Sequence, residues 1–187
     1  MAERLHIRPA GTEDAEALAA LGERTFRHAF AAQNAARDID AYVRQSFAIA
    51  RMREELGSAE NRFLLAFLGN RRSPVGYAKL RAGRAHESVA GGAPIELQRL
   101  YLDAPALGRG VGSALMRACL ELAEREGHRT IWLGVWERNS RAIAFYERWG
   151  FTASGEHVFR LGSDDQTDLI MARSCGGDIA VDDREWA

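Results

Sequence analysis

The sequence predicts an α/β domain, a mixed sheet with helices packed on both of its faces. Three observations carry this. From Ile95 the order of elements is strand, helix, strand, helix, strand, and such helices must return across a sheet. Gly110 to Glu126 places Val111, Leu115, Ala118 and Leu122 on one helical stripe and stops at Gly127, a residue suited to ending a helix. Phe63 to Leu68 and Val75 to Arg81 are short apolar runs flanking Gly69-Asn70-Arg71-Arg72-Ser73-Pro74, the pattern of two strands and a turn.

The remaining elements follow in chain order. Leu5-His6-Ile7-Arg8 alternates ahead of Pro9 and reads as a short first strand. Thr12-Glu13-Asp14-Ala15 reads as a helix start, with Ala15, Leu18, Ala19 and Leu21 on the inner face. Glu23 to Gly57 is helical in character, anchored by Phe26, Phe30, Tyr42, Phe47, Met52 and Leu56, with breaks near Asn34 and Ala48. Ala82 to Ala93 is glycine-rich and poor in apolar residues, so a mobile loop is expected before the strand Ile95 to Leu102. Thr130 to Trp136 is a strand, and Ser140 to Trp149 is a helix ended by Gly150. From Phe151 the chain is extended, with a last strand over Thr167 to Ala172. Residues 1–173 are expected to form one domain without internal repeats, and 174–187 a flexible, acidic tail.

At 187 residues the chain is long enough for one core with both sheet faces covered. A net charge of −1 excludes the basic excess of most nucleic-acid binders. Lys79 is the single lysine among many arginines. Cys119 and Cys175 make no disulfide framework, and neither they nor His6, His28, His86 and His128 have metal-ligand spacing, so no metal is expected. No run approaches the ~18 apolar residues of a membrane span, and Met1 to Arg8 contain no apolar run of signal length. A soluble, cytoplasmic protein is expected.

The chemistry concentrates in Leu100-Tyr101-Leu102-Asp103-Ala104-Pro105-Ala106-Leu107-Gly108-Arg109-Gly110-Val111-Gly112-Ser113. Glycines at 108, 110 and 112 leave backbone N–H groups uncovered where a loop enters a helix. A helix N-terminus carries partial positive charge and unpaired donors, so a pyrophosphate fits there, with Arg109 placed to add a charged contact. A dinucleotide fold is a poor match, because Asp103 to Leu107 separate strand from glycines and Ser113 stands where the third glycine would fall. No Gly-Lys-Ser/Thr follows, which excludes a P-loop.

A second motif, Asn139-Ser140-Arg141-Ala142-Ile143-Ala144-Phe145-Tyr146-Glu147-Arg148-Trp149-Gly150-Phe151, opens on a plausible N-cap and closes on a glycine, with Ala142, Phe145 and Trp149 turned inward. The glycine loop followed by N-x-x-A-x-x-F-Y-x-x-x-G-F resembles the GCN5-related N-acetyltransferases, the GNAT superfamily, from Leu5 to about Arg173 and most specifically between Glu96 and Phe151. The resemblance implies a mostly antiparallel, twisted sheet with a central parallel strand pair that splays apart and admits acetyl-CoA. It implies that Leu107 to Ser113 hold the pyrophosphate, that Leu100, Tyr101 and Leu102 line the pantetheine, that Asn139 touches the cofactor, and that Tyr146 is the general acid. Leu107 departs from the family's usual Gln or Arg. Glu96-Leu97-Gln98-Arg99-Leu100-Tyr101-Leu102, together with Gly155-Glu156-His157-Val158-Phe159-Arg160-Leu161-Gly162 and Gln166-Thr167-Asp168, looks like the PaiA-type branch, which includes spermidine/spermine acetyltransferases. The expected activity is therefore transfer of acetyl from acetyl-CoA to a primary amine of a small molecule, polyamine-like or otherwise, or of a peptide, by direct attack in a ternary complex. The alternative is a regulatory module that binds acyl-CoA without catalysis. Relatives that pair through strands or helices make a homodimer one expected arrangement.

An amine with a pKa near ~10 must lose a proton before it attacks a thioester. Strand alternation puts Glu96, Gln98, Leu100 and Leu102 on one face, beside the pantetheine track. Glu96 is then either a base working through a water or the partner of an arginine. His157 is either a base or a packed residue near the last hairpin. Cys119 falls inside a helix, which disfavours an acetyl-cysteine route. Asp38, Asp40, Glu96 and Glu156 are the acidic groups available to a polyamine.

Overall fold

The computed structural model describes residues 3–32, 34–161 and 164–176. Its strands are β1 (Leu5–Pro9), β2 (Asn61–Leu68), β3 (Gly76–Ala82), β4 (Pro94–Leu102), β5 (Thr130–Trp136), β6 (Thr152–Leu161) and β7 (Asp164–Ser174). They form one sheet in the order β1-β2-β3-β4-β5-β7-β6. Every neighbouring pair is antiparallel except β4–β5. The helices are α1 (Ala15–Phe30), α2 (Ala36–Ser46), α3 (Ile49–Gly57), α4 (Val111–Arg125) and α5 (Ser140–Arg148). The breaks expected near Asn34 and Ala48 fall between α1 and α2 and between α2 and α3, where Ala35 and Ala48, both extended, are the N-caps of α2 and α3.

Two cores hold the layers together. On one face Leu115, Met116 and Cys119 of α4 and Trp149 pack on Leu64, Leu80, Ile95, Ile131 and Leu133. On the other, Leu18, Leu21 and Phe26 of α1, Ile39 and Val43 of α2, and Met52 of α3 cover Phe63, Leu65 and Tyr77. Truncating a fully buried anchor such as Leu115 to alanine costs about 2–5 kcal/mol.

The parallel pair is short. Only Pro94–Thr130, Ile95–Ile131 and Glu96–Trp132 are in register, and beyond them β4 and β5 part. The rest of β4 thus borders a gap inside the sheet, an internal edge with backbone groups available to an extended ligand.

One strand departs from simple alternation. Lys79 pairs with Arg99 and Leu80 with Leu97, leaving Gln98 as a bulge in β4. An extra residue flips the side-chain phase. Ile95, Leu97, Leu100 and Leu102 therefore share the α4 face, whereas Glu96, Arg99 and Tyr101 lie on the α1–α3 face with their partners Arg81, Lys79 and Tyr77. The expected placement of Glu96 beside Leu100 and Leu102 is corrected: unbroken alternation could not register the bulge.

The other differences lie at the ends. Thr12–Asp14 is a 3-10 turn in which the Asp14 carboxylate accepts the Gly11 N–H at 3.0 Å and binds Arg8 at 2.7 Å. β7 exceeds the expected Thr167 to Ala172 because its polar residues continue the ladder with β6. It takes in Ser174, and Cys175 is buried with its N–H on the Arg129 carbonyl at 2.9 Å. The start of the expected tail thus belongs to the fold, while 177–187 and Gly162 lie outside the described residues. Residues 83–93 have no regular structure but dock on β6, with Ser88 Oγ 3.4 Å from Ser154 Oγ. Among the described residues no helix is long and apolar enough to cross a membrane.

Candidate active site

The glycine loop does what its composition suggested. After β4, Ala104–Ala106 make a 3-10 turn closed by the Leu107 N–H on the Ala104 carbonyl. Gly108 and Gly110 then take φ of 72° and 73°, left-handed values that favour glycine, and neither would set a Cβ against any neighbour. Gly110 is the N-cap of α4 and its carbonyl accepts the first helical bond, from the Ala114 N–H at 3.0 Å. The N–H groups of Val111, Gly112 and Ser113 therefore have no partner within the helix. A Cβ on Gly112 would come 3.2 Å from Leu102 Cδ1, a tight contact to which the leucine would have to yield, so the mouth of α4 sits close against β4. Arg109 is exposed and paired with Glu3 at 2.7 Å.

This mouth lies beside the gap between β4 and β5. Leu100 and Leu102 line the gap on the α4 side, whereas Tyr101 turns the other way and meets Tyr77 edge-on at 5.6 Å. Asn139 caps α5, its Oδ1 accepting the Ala142 N–H at 3.2 Å. Two helical turns on, Tyr146 packs edge-on against Phe145 at 5.5 Å and Phe151 at 5.8 Å. Burial raises its hydroxyl above the ordinary phenol range, with the neighbouring Cys119 adding to the effect, so it is a proton donor at neutral pH. Burial pushes the Cys119 thiol up to about 12, which leaves it un-ionised and a poor nucleophile.

On the α1–α3 face, Glu96 is bound by Arg81 at 2.7 Å. Next to it lies a charged cluster that the sequence did not reveal. Glu55 of α3 is buried and takes Lys79 at 2.8 Å, Arg99 at 2.8 Å and Arg51 at 3.3 Å. Burial alone would raise the Glu55 carboxyl; Arg99 and Lys79 outweigh it and hold the group below its ordinary value. Burial pulls Lys79 down to about 8, against the hydrogen bond it donates to Glu55. These groups, with Arg81 and Gln98, wall a polar cavity of about 600 Å³ under α2 and α3. The available signal was Lys79 itself, the one lysine, set mid-strand in an otherwise buried run.

The remaining acidic candidates do not converge. Asp40 binds Arg27 at 2.6 Å, Asp38 lies 3.5 Å from Arg37, and Glu156 points from the opposite side of β6 to its neighbour His157. His157 is exposed; its ring stands 6.1 Å from His86 and its strand partner is Asp168. Among the described residues no three His, Cys, Asp or Glu side chains gather as a metal set.

Comparison with known proteins gives the family and the fold. The model of the Acetyltransferase (GNAT) family matches residues 25–151. An uncharacterized N-acetyltransferase of Mycobacterium bovis is 36% identical over 160 residues, spanning 86% of this chain and 97% of its own. A spermine/spermidine N(1)-acetyltransferase of Bacillus subtilis is 36% identical over 64 residues, 34% of this chain and 42% of its own. Among solved structures, the PaiA N-acetyltransferase of Thermoplasma acidophilum in complex with coenzyme A superposes with a TM-score of 0.70 at 20% identity, covering 91% of this chain and 99% of that one.

Proposed function

Because the chain belongs to the GNAT acetyltransferase family, we propose that this acetyl-CoA-dependent N-acetyltransferase acts on a primary amine of a small, polyamine-like molecule by direct attack in a ternary complex. One observation carries the reading: the bare amides of α4 open onto the gap between β4 and β5, and Tyr146 stands one helix further along the same face.

Acetyl-CoA supplies an acetyl group activated as a thioester. The cradle suits its pyrophosphate, since Gly108 and Gly110 leave space and the amides of Val111, Gly112 and Ser113 supply donors without dedicated cations. Leu107 costs this site little, because the donors are main-chain groups. The edge of β4 over Leu100 to Leu102 offers strand-like contacts to the pantetheine. Asn139 orients the start of α5 and so the reach of Tyr146. Tyr146 protonates the departing thiolate, its hydroxyl raised above the ordinary phenol range by burial and so keeping the proton at neutral pH. Glu96 stands at the last paired position of β4, on the face opposite the cradle, where it takes the ammonium proton through a water while Arg81 fixes its carboxylate. The un-ionised Cys119 supports direct transfer over an acetyl-enzyme.

The test is thiol release from acetyl-CoA with a panel of amines that includes polyamines and N-terminal peptides. Wild-type protein is expected to release thiol with at least one polyamine. Tyr146→Phe is expected to lower kcat by about 10²-fold, within the usual range for an acid–base group, with acetyl-CoA affinity kept within two-fold. Donor binding without thiol release from any amine would instead favour a regulatory acyl-CoA-binding module.

A further inference from the structure

The α1–α3 face of β5 is open where the neighbouring sheet is covered. Leu133 and Val135 are buried on the α4 side, yet Gly134 between them is exposed on the other. The rim is made by three separate parts of the chain. Phe30 at the end of α1 reaches Trp136 with rings 6.1 Å apart. Asn34, in the link from α1 to α2, accepts a hydrogen bond from Gln166 of β7 at 2.6 Å. His86, from the loop docked on β6, stands against His157.

Asp168 lies within this rim. Its strand partners are Trp136 on one side and His157 on the other, and a Cβ placed on Gly134 would come 3.5 Å from its Oδ2. Glycine at 134 thus keeps a lane clear between the carboxylate and the arm of β5 that borders the gap. Unlike Asp38, Asp40 and Glu96, Asp168 has no hydrogen bond or ion pair among the described residues; the one charged neighbour acting on it is His157. Burial raises its carboxyl above the ordinary value, with His157 working the other way, which is the mark of a charge short of a partner.

We propose that Asp168, with the aromatic wall of Trp136 and Phe30, is the subsite that receives a second ammonium group of the acceptor, so that the preferred acceptors are di- or polyamines. An unpaired carboxylate beside aromatic faces suits an alkylammonium, which gains both an ion pair and cation–π contact. This rests on the amine-acetylating function proposed above, and it adds the residue that discriminates among amines.

The test compares a linear diamine with the monoamine of equal chain length, using wild type, Asp168→Asn, Asp168→Glu and Gly134→Ala. Wild type is expected to show a KM at least tenfold lower for the diamine. Asp168→Asn is expected to erase that preference through KM, leaving the KM for acetyl-CoA and the monoamine kcat/KM within two-fold. Asp168→Glu restores part of the preference. Gly134→Ala, whose added methyl makes an ordinary contact, raises diamine KM by narrowing the lane. Equal losses for both amines, a shift in acetyl-CoA KM, or no change in Asp168→Asn would each overturn the subsite. If wild type acetylates no amine, the functional reading fails, and calorimetric binding of the diamine to the coenzyme A complex still decides the subsite: binding lost in Asp168→Asn supports it, and equal binding in both proteins overturns it.

Discussion

At the scale of single residues, burial decides which groups carry charge. Tyr146 and Cys119 are neighbours in the same apolar layer, and burial raises both, which suits a phenol that must keep its proton and disqualifies a thiol that would have to lose one. Glu55 is the opposite case, a buried carboxylate kept ionised by Arg99 and Lys79. Removing one member of such a cluster leaves the others buried without compensation, and Glu55→Gln is expected to cost about 3–5 kcal/mol in denaturant unfolding. The pH dependence follows from the lowered carboxyl. The folded state holds its proton less tightly than the unfolded chain, whose value is near ~4.3, so the stabilisation is complete above that value and is lost as pH falls through the folded one. Acid titration of stability should therefore be steeper in wild type than in Glu55→Gln, and identical slopes would contradict the assignment. None of these groups was legible as a cluster, because Glu55, Lys79 and Arg99 are far apart in sequence and meet only once α3 lies across β3 and β4. Tyr146 was legible, because its motif is local and continuous.

At the scale of elements, the helices and most strands could be read from period and punctuation. Thr130–Trp136 is recovered with both ends, and Gly127 and Gly150 follow α4 and α5 as their spacing suggested. The bulge at Gln98 was not readable, since an inserted residue carries no composition of its own and its effect shows only in the register with β3. The error had a chemical consequence, for it set Glu96 on the face of Leu100 and Leu102 when it stands on the α1–α3 face beside Arg81. The glycine loop is the opposite instance, its backbone demands being visible in the residue type. Gly110 is held at φ of 73°, and Gly110→Ala is expected to cost about 1–2 kcal/mol through that dihedral alone, a fall of a few degrees in Tm. Coenzyme A should also bind less well, because the left-handed turn that presents the amides is strained. An unchanged Tm together with unchanged affinity would mean the turn is not held as described.

At the scale of the molecule, the sheet divides the work between its faces. On the proposed reading, α4 and α5 carry the donor's cradle and the acid on one side; α1, α2 and α3, with β6 and β7, shape the acceptor's side; and the gap between β4 and β5 joins the two. The fold and the backbone of the glycine loop were legible because they depend on local motifs, whereas the proposed acceptor side is assembled from Phe30, Asn34, Trp136 and Asp168, which only the topology brings together. The most direct measurement is a crystal structure of the protein with coenzyme A. The diphosphate is expected on the amides of Val111, Gly112 and Ser113, with the sulfur in the gap and within about 3.5 Å of Tyr146 Oη. A diphosphate bound elsewhere, or a sulfur lying out of reach of that hydroxyl, would contradict the account.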